Sequence, residues 1–429
     1  MRLYPTTSQA LTCKHAEKVE RLREGIMRQD TNGHSKRFQS SIDPSSQKTE
    51  EFDYPFDDIF IAPAPLKNRS RSRLLIYDRA TGEVAHQRFS SMINWLRPND
   101  LVIVNNTKVF PARIKGRKAM SNGPATAGSP STAGGPATAS GGMVELLLLR
   151  PDQDASASLC WEVLVKGHLS ASTTLILDGG GRARLMEAGE GMEKKICFEL
   201  PAGETIYSYL EKWGEVPVPP YILRRRKMLP REKEMDEGRE TALINPNDAD
   251  GYQTVYATEV GSAAAPTAGL HFTKRLLSAL QKKGVKVATV TLHIGTDTFR
   301  PISAALLDEH KMSGERFEIP KETVYALAEA RRLQGRIVAV GTSAMRALES
   351  ASDGKNGILN IKGETGLFIT PGYRFRVVDV LVTNLHPPRS TGLVLVSAFA
   401  GRENILRIYQ KAMEKRYRFF TYGDAMLIL

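Results

Sequence analysis

From residue 252 onward the chain alternates short β-branched runs with segments of helical period, and this rhythm limits the fold more than any other feature. VKVATVTL, RIVAV and RVVDVLV read as strands, each four to eight residues long and rich in Val and Ile. A helix over 269–283 sets Leu270, Leu276, Leu277 and Leu280 on one side and stops at Gly284. A second fits 321–334, ending near Gly335, and a basic helix begins near Glu403. Strands alternating with helices specify βα units and an α/β fold with a mostly parallel sheet. SRLLIYD, EVAHQRF and DLVIVN, within 51–110, supply strands to complete that sheet.

Between these parts the pattern changes. The runs SLCWEVLVKG, TTLILDG, GRARLMEA and KKICFELP are short, separated by Gly-bearing turns, and lack helical period. They specify a small antiparallel β domain over 111–204, set into an α/β domain made of 51–110 and 205–429. Residues 119–142 are nearly all Ala, Gly, Ser, Thr and Pro with a repeated GPATA, so they read as a loop insertion that fills no core. Residues 1–50 are polar and are expected to be a flexible extension outside the fold.

Composition removes several function classes. No run of 18 apolar residues exists and the mean hydropathy is −0.29, so no membrane-spanning helix is expected. The first 25 residues lack an apolar signal core, which favours a cytoplasmic protein over a secreted one. Cys13, Cys160 and Cys197 are widely spaced and odd in number, and the expectation is reduced thiols with neither disulfide nor zinc site. Lys plus Arg number 59 against 47 Asp plus Glu, a surplus of +12 that permits a polyanionic partner. The surplus clusters at KNRSRSR (67–73), RRRK (224–227) and KRYR (415–418), two of them interleaved with polar or aromatic residues as RNA-backbone binding would require. Arg225, Arg226, Arg416 and Arg418 are the RNA-contact candidates, with a solvated basic face as the plain alternative.

In open α/β sheets ligands bind beyond the carboxyl ends of the strands. Three strands here run into polar loops, His293–Arg300, Gly341–Arg346 and Thr383–Thr391, and a fourth loop, GSAAAPTAGLHFT, leads into a helix. Gly341-Thr342-Ser343 stands at a strand-to-helix turn whose N–H groups suit an anion, although Thr342 or Ser343 serves equally well as a plain helix cap. His271 and His293 flank apolar positions and read either as proton-transfer groups or as hydrogen-bonded core histidines. Asn384 and His386 precede a Pro-Pro turn. No dinucleotide fingerprint, Walker loop, nucleophile elbow or His-Glu-x-x-His motif occurs, so redox-cofactor and P-loop chemistry are not expected.

These loops also carry a family resemblance. The strings NNTKVFPARIKGR, GEVPVPPYI, AAPTAGLHFT, VTLHIGTDTFRP, GTSAMRALES, ITPGYRFRVVDVLVTNLHPPRST, VSAFAG and YRFFTYGDAMLI follow one another through nearly everything from 52 to 429 outside the insertion. In them the chain resembles the S-adenosylmethionine:tRNA ribosyltransferase-isomerases of queuosine biosynthesis. The resemblance implies an α/β domain carrying a smaller β-barrel. It also implies transfer of the ribosyl part of S-adenosylmethionine onto the aminomethyl group of a 7-deazaguanine base in a tRNA anticodon. The ribose becomes an epoxycyclopentane, giving epoxyqueuosine, while adenine and methionine leave. No metal or redox cofactor is implied, S-adenosylmethionine being consumed as a substrate, and a monomer is expected.

Roles follow from that chemistry. A base must remove a proton made acidic by the sulfonium and a donor must assist adenine, and His271 and His293 are the candidates. Thr342, Ser343 and Arg346 suit the methionine carboxylate or a phosphate, with Thr267 and Gly269 as further substrate contacts. Asn384 and His386 suit the nucleoside, and Asp424 an amine or ribose hydroxyl. The sequence departs from the family pattern at four places. Asn106 stands where the family has Asp, Ser313 where it has His, Ser70 where it tends to have Asp, and Asp297 where it has Gly. Those losses of titratable groups leave two alternatives beside the active enzyme: a diverged paralogue binding S-adenosylmethionine or a related nucleoside, and a catalytically silent RNA-binding protein.

Overall fold

The alternating faces of five central strands explain the main architecture. In the computed structural model, which describes residues 47–119, 141–152, 159–170, 173–187, 193–229, 248–295, 300–355 and 357–429, β3 (Leu101–Asn105) is buried along its whole length. Leu101 and Ile103 enter one apolar layer while Val102 and Val104 enter the other. β14 (Ile337–Val340) and β16 (Val380–Asn384) repeat the pattern, as do β1 (Arg73–Tyr77) and β17 (Ala425–Ile428). Strands covered on both faces need nearly continuous apolar residues, which is why IVAV and VLV stand out in the sequence.

Nine strands make one mixed sheet, in the order β15 (Lys362–Thr365), β13 (Glu315–Glu318), β12 (Lys286–Leu292), β3, β14, β16, β17, β1, β2 (Val84–Arg88). β12, β3, β14 and β16 run parallel to one another. β17 is antiparallel to β16 and parallel to β1, while β2, β13 and β15 extend the edges in antiparallel fashion. The α/β class thus stands, with a parallel centre and antiparallel margins.

Helices cover both faces. Leu276 and Leu280 of α3 (Lys274–Lys282) pack with Phe89, Met92 and Leu96 on one side, each buried leucine contributing about 1.5–3 kcal/mol. α4 (Lys321–Arg332), α5 (Thr342–Ser350), α6 (Thr391–Ala400) and α7 (Arg402–Glu414) cover the other. The helix expected over 269–283 is in fact two elements, a 3-10 turn at Thr267–His271 and then α3. The break lies at Thr273, whose hydroxyl caps the new helix by accepting from the Leu276 N–H at 3.2 Å.

The smaller unit is a closed antiparallel barrel of β5 (Arg113–Lys118), β6 (Met143–Pro151), β7 (Cys160–Lys166), β8 (Thr174–Leu177), β9 (Arg182–Glu187) and β10 (Glu193–Glu199). Leu146, Leu148, Trp161, Val163, Ile196 and Phe198 fill it. The chain enters from β4 (Thr107–Val109), which pairs with β11 (Glu259–Ser262). It leaves through α1 (Ile206–Trp213) to Glu215, whose backbone exchanges hydrogen bonds with Arg113 at 2.7 and 3.1 Å, and continues into α2 (Pro220–Met228).

Two expectations need correction. Cys160 and Cys197 are not separate thiols: the antiparallel register of β7 and β10 sets them directly opposite, Cα atoms 3.9 Å apart, and they are joined as a disulfide. Sequence spacing cannot report such a register; Cys13 lies outside the described residues. The extension also ends sooner than residue 50, since Thr49 is buried, donates its hydroxyl to the Ala304 carbonyl at 2.8 Å, and follows a β-bridge between Lys48 and Leu306. Residues 1–46 and 120–140 lie outside the described residues.

Candidate active site

Beyond the carboxyl ends of β12, β14 and β16 lies a cleft of about 960 Å³, counting its open mouth. All four loops singled out in the sequence contribute: Ala265–Ala268, Ile294, Gly341–Arg346 in part, and Thr383–Gly392 in part. Two helices begin at its wall. α5 starts after Gly341, whose φ of +89° is left-handed backbone that an L side chain would strain, and α6 starts at Ser390, which caps it by accepting from the Leu393 N–H at 3.2 Å. Both helix N-termini carry partial positive charge.

Six of the predicted residues line this cleft: Thr267, Thr342, Ser343, Arg346, Asn384 and His386. Ser343 accepts a hydrogen bond from the Asn105 amide at 3.1 Å, which ties α5 to the end of β3. Arg346 is buried; it donates to the Leu367 carbonyl at 3.0 Å and forms an ion pair with buried Glu315. His386 bonds Thr383 through Nε2 at 2.7 Å, and burial pushes its pKa down to about 4, so the ring is neutral.

His271 lies one layer behind. The Thr267 hydroxyl donates to Asn384 Oδ1 at 2.8 Å, and Asn384 Nδ2 donates to the Phe420 carbonyl at 3.2 Å. The amide's NH₂ therefore faces His271 Nε2, 3.4 Å away, which must be the unprotonated nitrogen. Nδ1 then carries the hydrogen and donates to Ser72 Oγ at 2.8 Å. Burial brings this histidine down to about 4 against the opposing charge of Asp424. Its open side gives onto a smaller cleft with Arg69, Arg418 and Tyr422.

The remaining predicted residues are elsewhere. His293 lines a separate cleft beside Arg150, Ser313 and Glu315, bonded to the Thr107 hydroxyl at 2.9 Å, with its pKa lowered by burial and the Arg316 charge. Gly269 is a packing position: a Cβ there would meet the Tyr256 hydroxyl oxygen and stand 2.9 Å from Thr254 Cγ2. Asp424 does not face the cleft. Buried, it accepts from the Arg73 and Arg418 N–H groups, each at 2.9 Å, and pairs with both guanidiniums. Burial alone would raise its pKa, but the Arg418 bonds and charge and the Arg73 N–H hold it below the usual carboxylate range. Of the basic candidates, Arg226 is committed to a two-pronged pair with buried Asp248 at 2.7 Å and Arg418 to Asp424. Arg416 is exposed and Arg225 half-buried.

Sequence reasoning missed Glu315, Ser72 and the Tyr221–Thr421 hydroxyl pair, 2.6 Å apart on the cleft wall. A signal existed only for Glu315, which follows the departing HKMS unit in a short strand where a buried acid needs a partner. Of the four departures, Asp297 lies outside the described residues. Asn106 is held at the end of β3, accepting from Thr291 at 2.7 Å and donating to Thr258 at 3.1 Å. Ser70 donates to Asn68 at 3.0 Å, and neither they nor Ser313 line the main cleft.

Fold and cleft together define an α/β enzyme with a barrel insert and a ligand site at its strand ends. Residues 49–428 match the family described as Queuosine biosynthesis protein, and the chain belongs to that family. The S-adenosylmethionine:tRNA ribosyltransferase-isomerase of Trichlorobacter lovleyi is 39% identical over 382 residues, 89% of this chain and 99% of that protein. The enzyme of the same name from Caldanaerobacter subterraneus subsp. tengcongensis is 40% identical over 385 residues, 89% of this chain and all of its own. A solved S-adenosylmethionine tRNA ribosyltransferase from Thermotoga maritima is 31% identical, covers 88% of this chain and 100% of its own, and superposes with a TM-score of 0.46.

Proposed function

We propose that this enzyme transfers and isomerises the ribosyl group of S-adenosylmethionine onto 7-aminomethyl-7-deazaguanine in tRNA, forming epoxyqueuosine and releasing adenine and methionine. One observation carries the reading: three of the strings that bear the resemblance, PTAGLHFT, GTSAMR and TNLHPPRST, each place residues on the wall of the main cleft, Pro266–Ala268, Gly341–Ser343 with Arg346, and Thr383–Pro387 among them. In this reading the amino-acid end of S-adenosylmethionine lies at the start of α5, with Asn384 and His386 toward the nucleoside. His386 lines the cleft and is neutral, so it takes the proton-transfer role. His271 acts through Asn384 by fixing which amide face the cleft meets. His293, in its separate cleft, has no part in the first steps.

Arg225 and Arg416 remain the phosphate contacts of choice for tRNA. The reading makes the protein a cytoplasmic monomer, since its substrate tRNA is there, with no resident metal or redox cofactor. No helix of the described residues is long and apolar enough to cross a membrane. The test is chemical. Given S-adenosylmethionine and tRNA carrying the aminomethyl base, the protein releases free adenine and methionine in equal amounts. Formation of S-adenosylhomocysteine would mean methyl transfer and overturn the reading. Binding of S-adenosylmethionine without adenine release would favour a diverged paralogue.

A further inference from the structure

The main cleft contains an opposed pair of full charges. Arg346 is 8% exposed and Glu315 4% exposed, and both line the cavity. Glu315 is held by the Gly295 N–H on Oε1 at 2.8 Å and by Arg346 on Oε2. Arg346 has five N–H donors, of which one serves Glu315 and others the carbonyls of Leu367 and Thr365 at 3.0 and 3.5 Å. Two donors remain for a ligand among the described residues, and each Glu315 oxygen has a lone pair beyond the one in use. Among the described lining residues these are the two with a full charge, since His386 is neutral.

A phosphate placed on Arg346 would sit against the Glu315 carboxylate, and like charges in a partly desolvated site repel strongly. A group with adjacent positive and negative ends has the opposite preference. We infer that Arg346 and Glu315 form a subsite for the α-ammonium and α-carboxylate of an amino acid, Arg346 taking the carboxylate and Glu315 the ammonium. The Ser343 end of α5 adds a positive dipole on the carboxylate side. The inference rests on the functional reading above and deepens it, because it selects the methionine end of S-adenosylmethionine over any phosphate for this wall.

The experiment is calorimetric binding by the full chain of three ligands: S-adenosylmethionine, its analogue with hydrogen in place of the α-ammonium, and its decarboxylated analogue. The wild type is expected to bind S-adenosylmethionine roughly 10- to 100-fold more tightly than either analogue, as hydrogen bonds to charged groups warrant. Glu315→Gln should abolish the preference for the ammonium and leave the preference for the carboxylate. Inorganic phosphate should not displace the bound molecule. A wild type that binds the deaminated analogue within about twofold overturns the subsite without recourse to any variant. So does a Glu315→Gln protein that weakens equally toward all three ligands, the mark of a purely structural acid. Adenine release with no such discrimination overturns the subsite alone, whereas no binding and no release overturns the functional reading with it.

Discussion

The enclosure of His271 makes a prediction about acid stability that can be worked through. The ring is 5% exposed, and burial brings its pKa from 6.5 to about 4 despite the nearby Asp424 carboxylate. The unfolded chain therefore takes up a proton near pH 6.5 that the folded chain refuses until about pH 4. Stability is full above pH 6.5, falls as the pH drops through that window, and levels off once the folded ring is protonated. At about 1.4 kcal/mol per pKa unit the whole effect is about 3 kcal/mol, of which about 2 is lost by pH 5. His386 is lowered to about 4 by burial as well and acts with the same sign, so the wild-type slope carries both. The assay is urea unfolding followed by far-UV circular dichroism at pH 7, 6 and 5, on wild type and His271→Asn. The variant should be the less stable protein at pH 7, and the gap should narrow by about 2 kcal/mol at pH 5. Parallel pH profiles for the two proteins would show that the ring titrates normally and that the Ser72–His271–Asn384 arrangement is wrong.

Gly269→Ala drives a methyl against the Tyr256 hydroxyl, which is itself buried and has no hydrogen-bond partner among the described residues. Thermal melts should show a loss of about 1–3 kcal/mol, largely recovered in the double variant with Tyr256→Phe; no recovery would place the strain elsewhere. Arg226→Ala strands buried Asp248 and should lower the melting temperature on the order of 10 °C while leaving the salt dependence of tRNA binding unchanged. Arg416→Ala should do the reverse, flattening the logarithmic salt slope by about 0.7–0.9 with little effect on melting. Deleting residues 121–141 should leave melting nearly unchanged, because the Lys118 N–H donates to the Gly142 carbonyl at 3.3 Å and Arg117 stands opposite Met143, so the two strands meet without the insertion. A fall of more than ~8 °C would show that the segment packs on the fold.

The sequence revealed what has a local signature. IVAV and VLV are legible as doubly covered strands because both faces are apolar. The loops after them are legible as a site because polar residues in strand-end loops have few other uses. What it concealed depends on distant partners. His271 and His293 look alike in one dimension, each beside apolar residues, yet one supports Asn384 and the other lies in another cleft. Asp424 looks like a ligand until Arg73, some 350 positions earlier in the chain, is seen bonded to it. The Cys160–Cys197 pair likewise depends on a strand register that no spacing rule encodes.

The position of β17 bears on how the protein is made. Ala425–Ile428 lies between β16 and β1, so the strand of this sheet that comes latest in chain order is the one that joins the first hairpin to the rest. Until it arrives, β1 and the parallel core each present an unpaired edge, and edges of that kind recruit other chains. A nascent chain stalled before Ala425 would hold every helix named above and the whole barrel yet remain two open half-sheets. Such a chain is a natural client for chaperones, and the loss of the four residues 425–428 should affect soluble yield far more than their number implies.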